Sequence, residues 1–461
     1  MKRFFSITKI ALIAITLFGL VSCSDDDDNG NIIDPDGSNT IADFVADNEN
    51  YSSLLAALQR TGLDATLAGS GTFTVFAPDN AAFDTFLNGT PLADVDEDAL
   101  TQILLNHVLN VERLSTDLTT GYVKNLATEP ASGANIDMYI DTSSGVTING
   151  QSSVVTADIQ TDNGVIHAVN SVIALPTIVT FATTNPALSN LVGALTANGN
   201  TTFTDLLSDT SQDFTVFAPV NQAFDEFTNP AGNDINQVLS NHVIVGTVGV
   251  STALATGYLN TAAVFNGEAD APLSLFVNTD GGVTLNGQSN VAIADIVAAN
   301  GVVHVVDTVI DLPTITTFAT ADSTFETLVA ALTADASFGY VDALSTANGT
   351  APAPFTVFAP TNDAFANLLT DLGATGLGDI PIPTLAATLE LHVVAGANVR
   401  AEDLPGLDGA SVTTLGGGEI TIDASTPAVI DPDGGVNEII VTNVQAANGV
   451  VHAVSRVLRD L

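Results

Sequence analysis

A mixed α/β architecture repeated in tandem is the fold class that the sequence predicts, and three observations carry it. The hexapeptide "FTVFAP" begins at Phe73, Phe214 and Phe355, 141 residues apart each time (73 to 214, 214 to 355). Stretches such as "YSSLLAALQ" from Tyr51 and "DALTQILLNHVL" from Asp98 space apolar residues three and four apart, as amphipathic helices do. Others, "VTINGQSSVVTADI" from Val146 and "VTLNGQSNVAIADI" from Val283, read as hairpins around Asn149-Gly150 and Asn286-Gly287, the pair that tolerates positive φ in a tight turn. A chain of 461 residues, 46% hydrophobic and only 13% charged, can fill three such cores.

The chain opens on basic Lys2, Arg3 and Lys9 and the apolar run "IALIAITLFGLV" from Ile10 to Val21, which reads as an export signal over residues 1–22. Twelve apolar residues are too few for a permanent bilayer span. "LVSC", Leu20 to Cys23, resembles the lipobox of bacterial lipoproteins, whose cysteine is cleaved at and acylated. Cys23 is the one cysteine in the sequence, so no intramolecular disulfide competes for it, and its lipidation is expected. Residues 23–39 form an acidic, flexible tether, "SDDDD" followed by "NGNIIDPDGSN", with nothing to bury. An acidic run directly after such a cysteine resembles the surface-export signal of some diderm bacterial lipoproteins. That resemblance implies a lipid anchor in the outer membrane and a protein facing outward.

The formal net charge is −43, from nine basic against 52 acidic residues. Such a surface repels nucleic acid and anionic lipid, so contact with the membrane is expected through the lipid alone.

Three units follow, over residues 40–175, 176–312 and 313–461. They open on "TIADFVADN" (Thr40), "TIVTFATTN" (Thr177) and "TITTFATAD" (Thr314). Each "FTVFAP" is a short β-branched and aromatic run closed by Pro78, Pro219 or Pro360, and in the first unit Asp79 and Asn80 stand where a helix N-cap belongs. Strand, proline, capped helix is the expectation there. Further on come "LLNHVL" (Leu104), "LSNHVI" (Leu239) and "LELHVV" (Leu389), and the units close on "NGVIHAV" (Asn163), "NGVVHVV" (Asn300) and "NGVVHAV" (Asn448). The third unit departs in one place. Gly416 to Val444 lacks the Asn-Gly-Gln turn and reads as a longer loop with a different exposed edge.

These blocks together resemble the fasciclin domain, whose two homology boxes match the "TVFAP-x-N-x-A-F" and "NGVxH" blocks in all three units. The resemblance covers nearly everything after the tether. It implies three tandem domains, each with helices packed on a β-sheet wedge or sandwich, and a role in adhesion. In animal members an Asp-Ile pair just before the second box is implicated in receptor binding. By resemblance, Asp158-Ile159 and Asp295-Ile296 are adhesion candidates here, while the third unit has Asn443-Val444. A Tyr-His pair is implicated too, and this chain has Asn106-His107, Asn241-His242 and Leu391-His392 in its place.

All six histidines fall two to a unit, separated by 60, 62 and 60 residues, which makes them part of the repeating pattern. His167, His304 and His452 sit in apolar strand runs and are expected neutral and hydrogen-bonded in the core. His107, His242 and His392 end an amphipathic helix, where a cation suits the C-terminal dipole. No cofactor is expected. "DVDED", Asp94 to Asp98, has Ala99 and Leu105 where a calcium loop needs its turn glycine and bidentate glutamate, and suits a helix N-terminus instead. "DPDGG" at Asp431 reads as a turn, with weak calcium binding at most.

No G-x-S-x-G, H-E-x-x-H, C-x-x-C, P-loop or G-x-G-x-x-G pattern occurs, and the chain is not expected to be an enzyme. The reading is a surface-anchored adhesion or extracellular binding protein, its partner a protein or glycan on another cell or matrix, with avidity from repeated modules. The alternatives are a glycan-binding component of surface polysaccharide capture and a hydrolase confined to the divergent third unit. The absence of Trp weighs against the first of these, because sugars stack on aromatic rings.

Overall fold

The computed structural model describes residues 39–460. The export signal, Cys23 and the tether as far as residue 38 lie outside the described residues. Each unit builds one seven-stranded sheet. In the first unit the strands are β1 (Phe73–Pro78), β2 (Val108–Leu109), β3 (Gly121–Thr128), β4 (Asn135–Asp141), β5 (Thr147–Ile148), β6 (Ser152–Thr161) and β7 (Gly164–Val169), ordered β2-β1-β7-β6-β5-β4-β3. Only β1 and β7 run parallel; every other pairing is antiparallel.

Every residue of β1 and of β7 is buried. Phe73, Val75 and Ala77 pack against the helices between Ile41 and Leu104, while Phe76 joins Leu109, Met138 and Ile140 on the opposite side. A strand covered on both faces has no solvent face to make polar, which is why the hexapeptide is apolar almost throughout and recurs unchanged. Its one polar side chain is satisfied locally: Thr74 Oγ1 donates to the Val111 carbonyl at 2.6 Å and accepts from Arg113 N–H at 2.8 Å. Pro78 is the last paired residue, and Asp79 then caps the helix Asn80–Leu87 by accepting from Ala82 N–H at 2.8 Å. In the second unit Val220 stands at the cap position without a side-chain bond, and the helix there, Asn221–Glu226, is two residues shorter.

Two expectations are corrected. "DALTQILLNHVL" is helical only as far as Leu105, the end of the helix Glu97–Leu105; its last two residues form β2, which pairs with β1 as its antiparallel neighbour. The segment Gly416 to Val444 is not a long loop but mostly strand, Glu419–Asp423, Ala428–Ile430 and the start of Val436–Ala446, paired in sequence.

Neighbouring units dock by one repeated device. At each junction an aromatic pair on the counterparts of β3 and β4 faces the next unit: Tyr122 with Tyr139, and Tyr258 with Phe276, ring centroids 5.0 Å apart in both. Tyr122 meets the edge of Phe181 at 5.3 Å and Tyr258 that of Phe318 at 5.5 Å, so Tyr139 and Phe276 belong to the hydrophobic cores of the units that follow them. Tyr122 Oη accepts from the Asn185 amide at 3.1 Å, and Tyr258 Oη donates to Asp322 at 2.9 Å. Beside the rings, Asp137 accepts from Val297 N–H at 2.7 Å and Ser274 Oγ accepts from Gln445 N–H at 3.0 Å. Lys124 pairs with Asp137 and also donates to the Asp295 carbonyl at 2.8 Å. In the third unit the corresponding positions are Ser411 and Thr421, directly paired across their strands. Its outer face is thus hydroxylic where the others are aromatic.

Tyr122→Ala is expected to weaken the first junction by about 2–4 kcal/mol, from the lost ring contacts and the space left behind. Limited proteolysis should then cut between residues 170 and 177 at a protease dose that leaves the parent chain intact.

Candidate binding surface

The Asp-Ile position is built by a distortion in the longest strand. The register of β6 against β7 shifts twice, between Val154 and Thr156 and between Thr156 and Ile159, and Asp158 takes φ 62°. Asp295 and Asn443 do the same, at φ 61° and 58°. Among residues other than glycine, Asp and Asn tolerate this left-handed region best, so local backbone geometry selects them in all three units. The side chain then clamps the loop that follows β2. Asp158 accepts from Ser115 N–H at 2.7 Å and from Ser115 Oγ at 2.6 Å, bonds that hold its carboxyl below the usual range. Asp295 accepts likewise from Ser251, and Asn443 Oδ1 from Ala401 N–H at 2.8 Å.

The next residues separate the units. Ile296, Val297 and Ala298 are fully buried, and so are Val444, Gln445 and Ala446, because the preceding unit sits on them. Ile159, Gln160 and Thr161 are half-buried, exposed and half-buried. Of the two Asp-Ile pairs, therefore, Asp295-Ile296 lies at a junction with Ile296 in the core, and Asp158-Ile159 is open to solvent along its edge.

The second histidine of each unit ties this strand in place. His167 Nε2 donates to the Arg113 carbonyl at 2.9 Å while Nδ1 accepts from Asp158 N–H at 3.3 Å. His304 does the same with Gly249 and Asp295, and His452 with Val399 and Asn443. Burial pushes the His304 and His452 rings down from their usual range. The first histidines are corrected from the cationic reading. His107 is 3% exposed, its Nδ1 donates to the Ile103 carbonyl at 2.7 Å, and its Nε2 accepts from Ile173 N–H at 2.8 Å. His242 and His392 repeat both bonds, and burial pushes all three rings down to about 4, so desolvation outweighs the helix dipole and the rings are neutral.

Asp96 caps the helix Glu97–Leu105 through Ala99 N–H, which accounts for the acidic run there. Asp431 is buried, and its carboxylate accepts from Gly435 N–H, the Asn437 amide and Arg459 N–H. Among the described residues no group of three or more His, Cys, Asp and Glu is placed to hold a metal ion, and no helix is long and apolar enough to cross a membrane.

Sequence reasoning passed over three recurring residues that build this region. Asn163 is buried; its Oδ1 accepts from Ile41 N–H at 2.9 Å and its amide donates to the carbonyls of Leu67 and Gly69. Asn300 and Asn448 make the same three bonds. Their recurrence before Gly in every unit is the signal that marks them.

Comparison with known proteins agrees with this architecture. The family model described as "Fasciclin domain" matches residues 49–176, 186–313 and 323–460. Pig transforming growth factor-beta-induced protein ig-h3 is 27% identical over 435 residues, covering 92% of this chain and 58% of that protein. Human periostin is 26% identical over 433 residues, 91% of this chain and 47% of its own length. Protein sll1483 of Synechocystis is 33% identical over 144 residues, 31% of this chain and 76% of that protein. The chain spans about half the length of the two animal relatives. With three matches of one model end to end over most of its length, the chain belongs to the fasciclin domain family, as three tandem domains.

Proposed function

We propose that this protein is a lipid-anchored adhesion or extracellular binding protein, held at Cys23 in the outer membrane, facing outward and acting without catalysis. Its ligand is a protein or glycan of another cell or of the surrounding matrix. One observation supports the reading most directly: the Asp-Ile edge that the family resemblance implicates in binding is open in the first domain alone, while the second domain's is closed over by its neighbour. The first domain then carries the contact and the other two serve as a spacer.

Asp158→Asn keeps the tolerance for positive φ and one acceptor, as Asn443 shows, and removes the charge. Beads coated with residues 24–461 are expected to lose at least about fivefold in adhesion to the target cells with Asp158→Asn, about 1 kcal/mol, and to keep it with Asp295→Asn. Equal loss in both variants, or in neither, would sink the assignment to the first domain. Anchoring is tested separately: Cys23→Ala should release the protein from the membrane fraction or block its maturation, and protease added to intact cells should remove the parent protein.

A second reading, glycan capture, is favoured by a cleft of about 560 Å³ at the first junction, lined by Asn149, Gln151, Thr180 and Thr183. Asn149 Nδ2 is buried without a hydrogen-bond partner, as is Asn286 Nδ2 in the matching turn of the second domain. A glycan array probed with residues 24–461, with and without Asn149→Asp, distinguishes the two readings.

A further inference from the structure

The two junctions show what the open edge of the first domain is shaped to receive. Thr40, Thr177 and Thr314 open the three domains with the same capping box, so Phe44 is the counterpart of Phe181 and Phe318, and Asn48 that of Asn185 and Asp322. Phe181 and Phe318 are fully buried under Tyr122 and Tyr258, whereas Phe44 is only half-buried. Asn185 and Asp322 spend one oxygen on their own helix turn and the remaining polar atom on the tyrosine hydroxyl. Asn48 spends its Oδ1 in the same way, on Asn50 N–H, and no partner for its amide nitrogen occurs among the described residues. Gln160 N–H corresponds to the Val297 and Gln445 amides that donate to Asp137 and Ser274. The Asp158 carbonyl corresponds to that of Asp295, which accepts from Lys124.

We propose that Phe44, Asn48, Asp158, Ile159 and Gln160 form a socket for a tyrosine presented by a β-hairpin of another protein. This rests on the adhesion reading and names the chemistry of its ligand. The phenol ring lies against the Phe44 edge, its hydroxyl meets the Asn48 amide, and a carboxylate or hydroxyl on the paired strand takes the Gln160 N–H. A basic residue two positions from the tyrosine answers the Asp158 carbonyl, as Lys124 does beside Tyr122, and suits a chain of net charge −43. A second copy of this chain does not fit the role. Its Tyr122 and Tyr258 are already engaged at their own junctions, and the corresponding face of its third domain carries Ser411 and Thr421.

The probe is the chain's own β3–β4 hairpin, residues 121–141, made as a head-to-tail cyclic peptide and titrated into residues 24–461 by fluorescence anisotropy. Saturable binding with a Kd below about 1 mM is expected, weakened at least about tenfold by Ile159→Arg, by Asn48→Ala, and by Tyr122→Ala in the peptide. Two protein variants are used so that a folding defect in one, visible in its melting curve, leaves the other to decide. No binding up to about 1 mM, or binding indifferent to these changes, overturns the socket. Sedimentation of the parent chain is expected to show a monomer. Self-association abolished by Ile159→Arg would give the edge to a second copy, and peptide binding seen only after removal of residues 24–38 would give it to the chain's own tether; either result overturns the choice of partner. Bead adhesion runs in parallel. Adhesion unchanged by Ile159→Arg sinks the socket and spares the adhesion reading, whereas beads that never adhere sink the adhesion reading and leave the peptide titration to judge the socket.

Discussion

Gly164→Ala is expected to unfold the first domain at temperatures where the other two remain folded. Gly164 starts β7 at φ 150°, directly beside Phe73 at the start of β1. A Cβ at that position would lie 2.1 Å from the Phe73 carbonyl oxygen and 2.8 Å from its nitrogen. Both are backbone atoms, so no side-chain rotation relieves the clash; the parallel β1–β7 pairing must open. That pairing joins two strands buried along their whole length, with helices on one side and Phe76, Met138 and Ile140 on the other. Backbone strain and lost packing together are expected to cost about 4 kcal/mol or more, a downward shift on the order of 10–20 °C for a domain of this size. Calorimetry should show one transition displaced and two retained, and cell adhesion should fall with it, since the open edge belongs to this domain. A Cβ on Gly301 or Gly449 would lie 2.1 or 2.2 Å from the Phe214 or Phe355 carbonyl oxygen, so alanine there should displace the transition of the second or third domain instead. An unshifted calorimetric trace for Gly164→Ala would show that β1 and β7 do not pair as described.

Acid should destabilise every domain before its carboxylates protonate. His107, His242 and His392 each hold a ring pushed by burial from the usual 6.5 to about 4. The unfolded chain therefore binds a proton between pH 6.5 and 4 that the folded domain refuses, and stability falls as pH falls through that window. The contribution is fully present above pH 6.5, and its loss amounts to about 3 kcal/mol per domain by pH 4. Urea unfolding at pH 7, 5.5 and 4.5 measures the slope. Stability that stays flat across the window would mean that these rings are not the buried, neutral hydrogen-bond bridges described. The paired bonds of each ring, to a helix carbonyl and to an amide 66 to 68 residues away in the segment after the last strand, explain why protonation is costly: the Nε2 acceptor would become a second donor facing an N–H.

Much of this protein is determined locally and was legible in the sequence. The period of "FTVFAP" gives three copies, and the apolar hexapeptide with its proline gives a doubly covered strand leading into a helix. Asn149-Gly150 and Asn286-Gly287 give hairpin turns, with all four residues at positive φ. The Asp-Ile candidates could be located, but not ranked, because Asp158-Ile159 and Asp295-Ile296 are nearly the same letters in nearly the same setting. Their difference lies in what covers them. Ile296 is buried because Tyr122, Lys124 and Asp137, more than 150 residues earlier in the chain, bring the first domain onto that strand. The first histidines were misread for a related reason. A helix C-terminus predicts a cation from local dipoles, but Ile173 and its counterparts Ile310 and Leu458 arrive from the far end of each domain and enclose the ring. Local sequence thus set the turns, caps and strand faces, whose energies depend on neighbouring residues. Exposure and protonation depend on the solvent each group has lost, and only the packing of distant segments decided that.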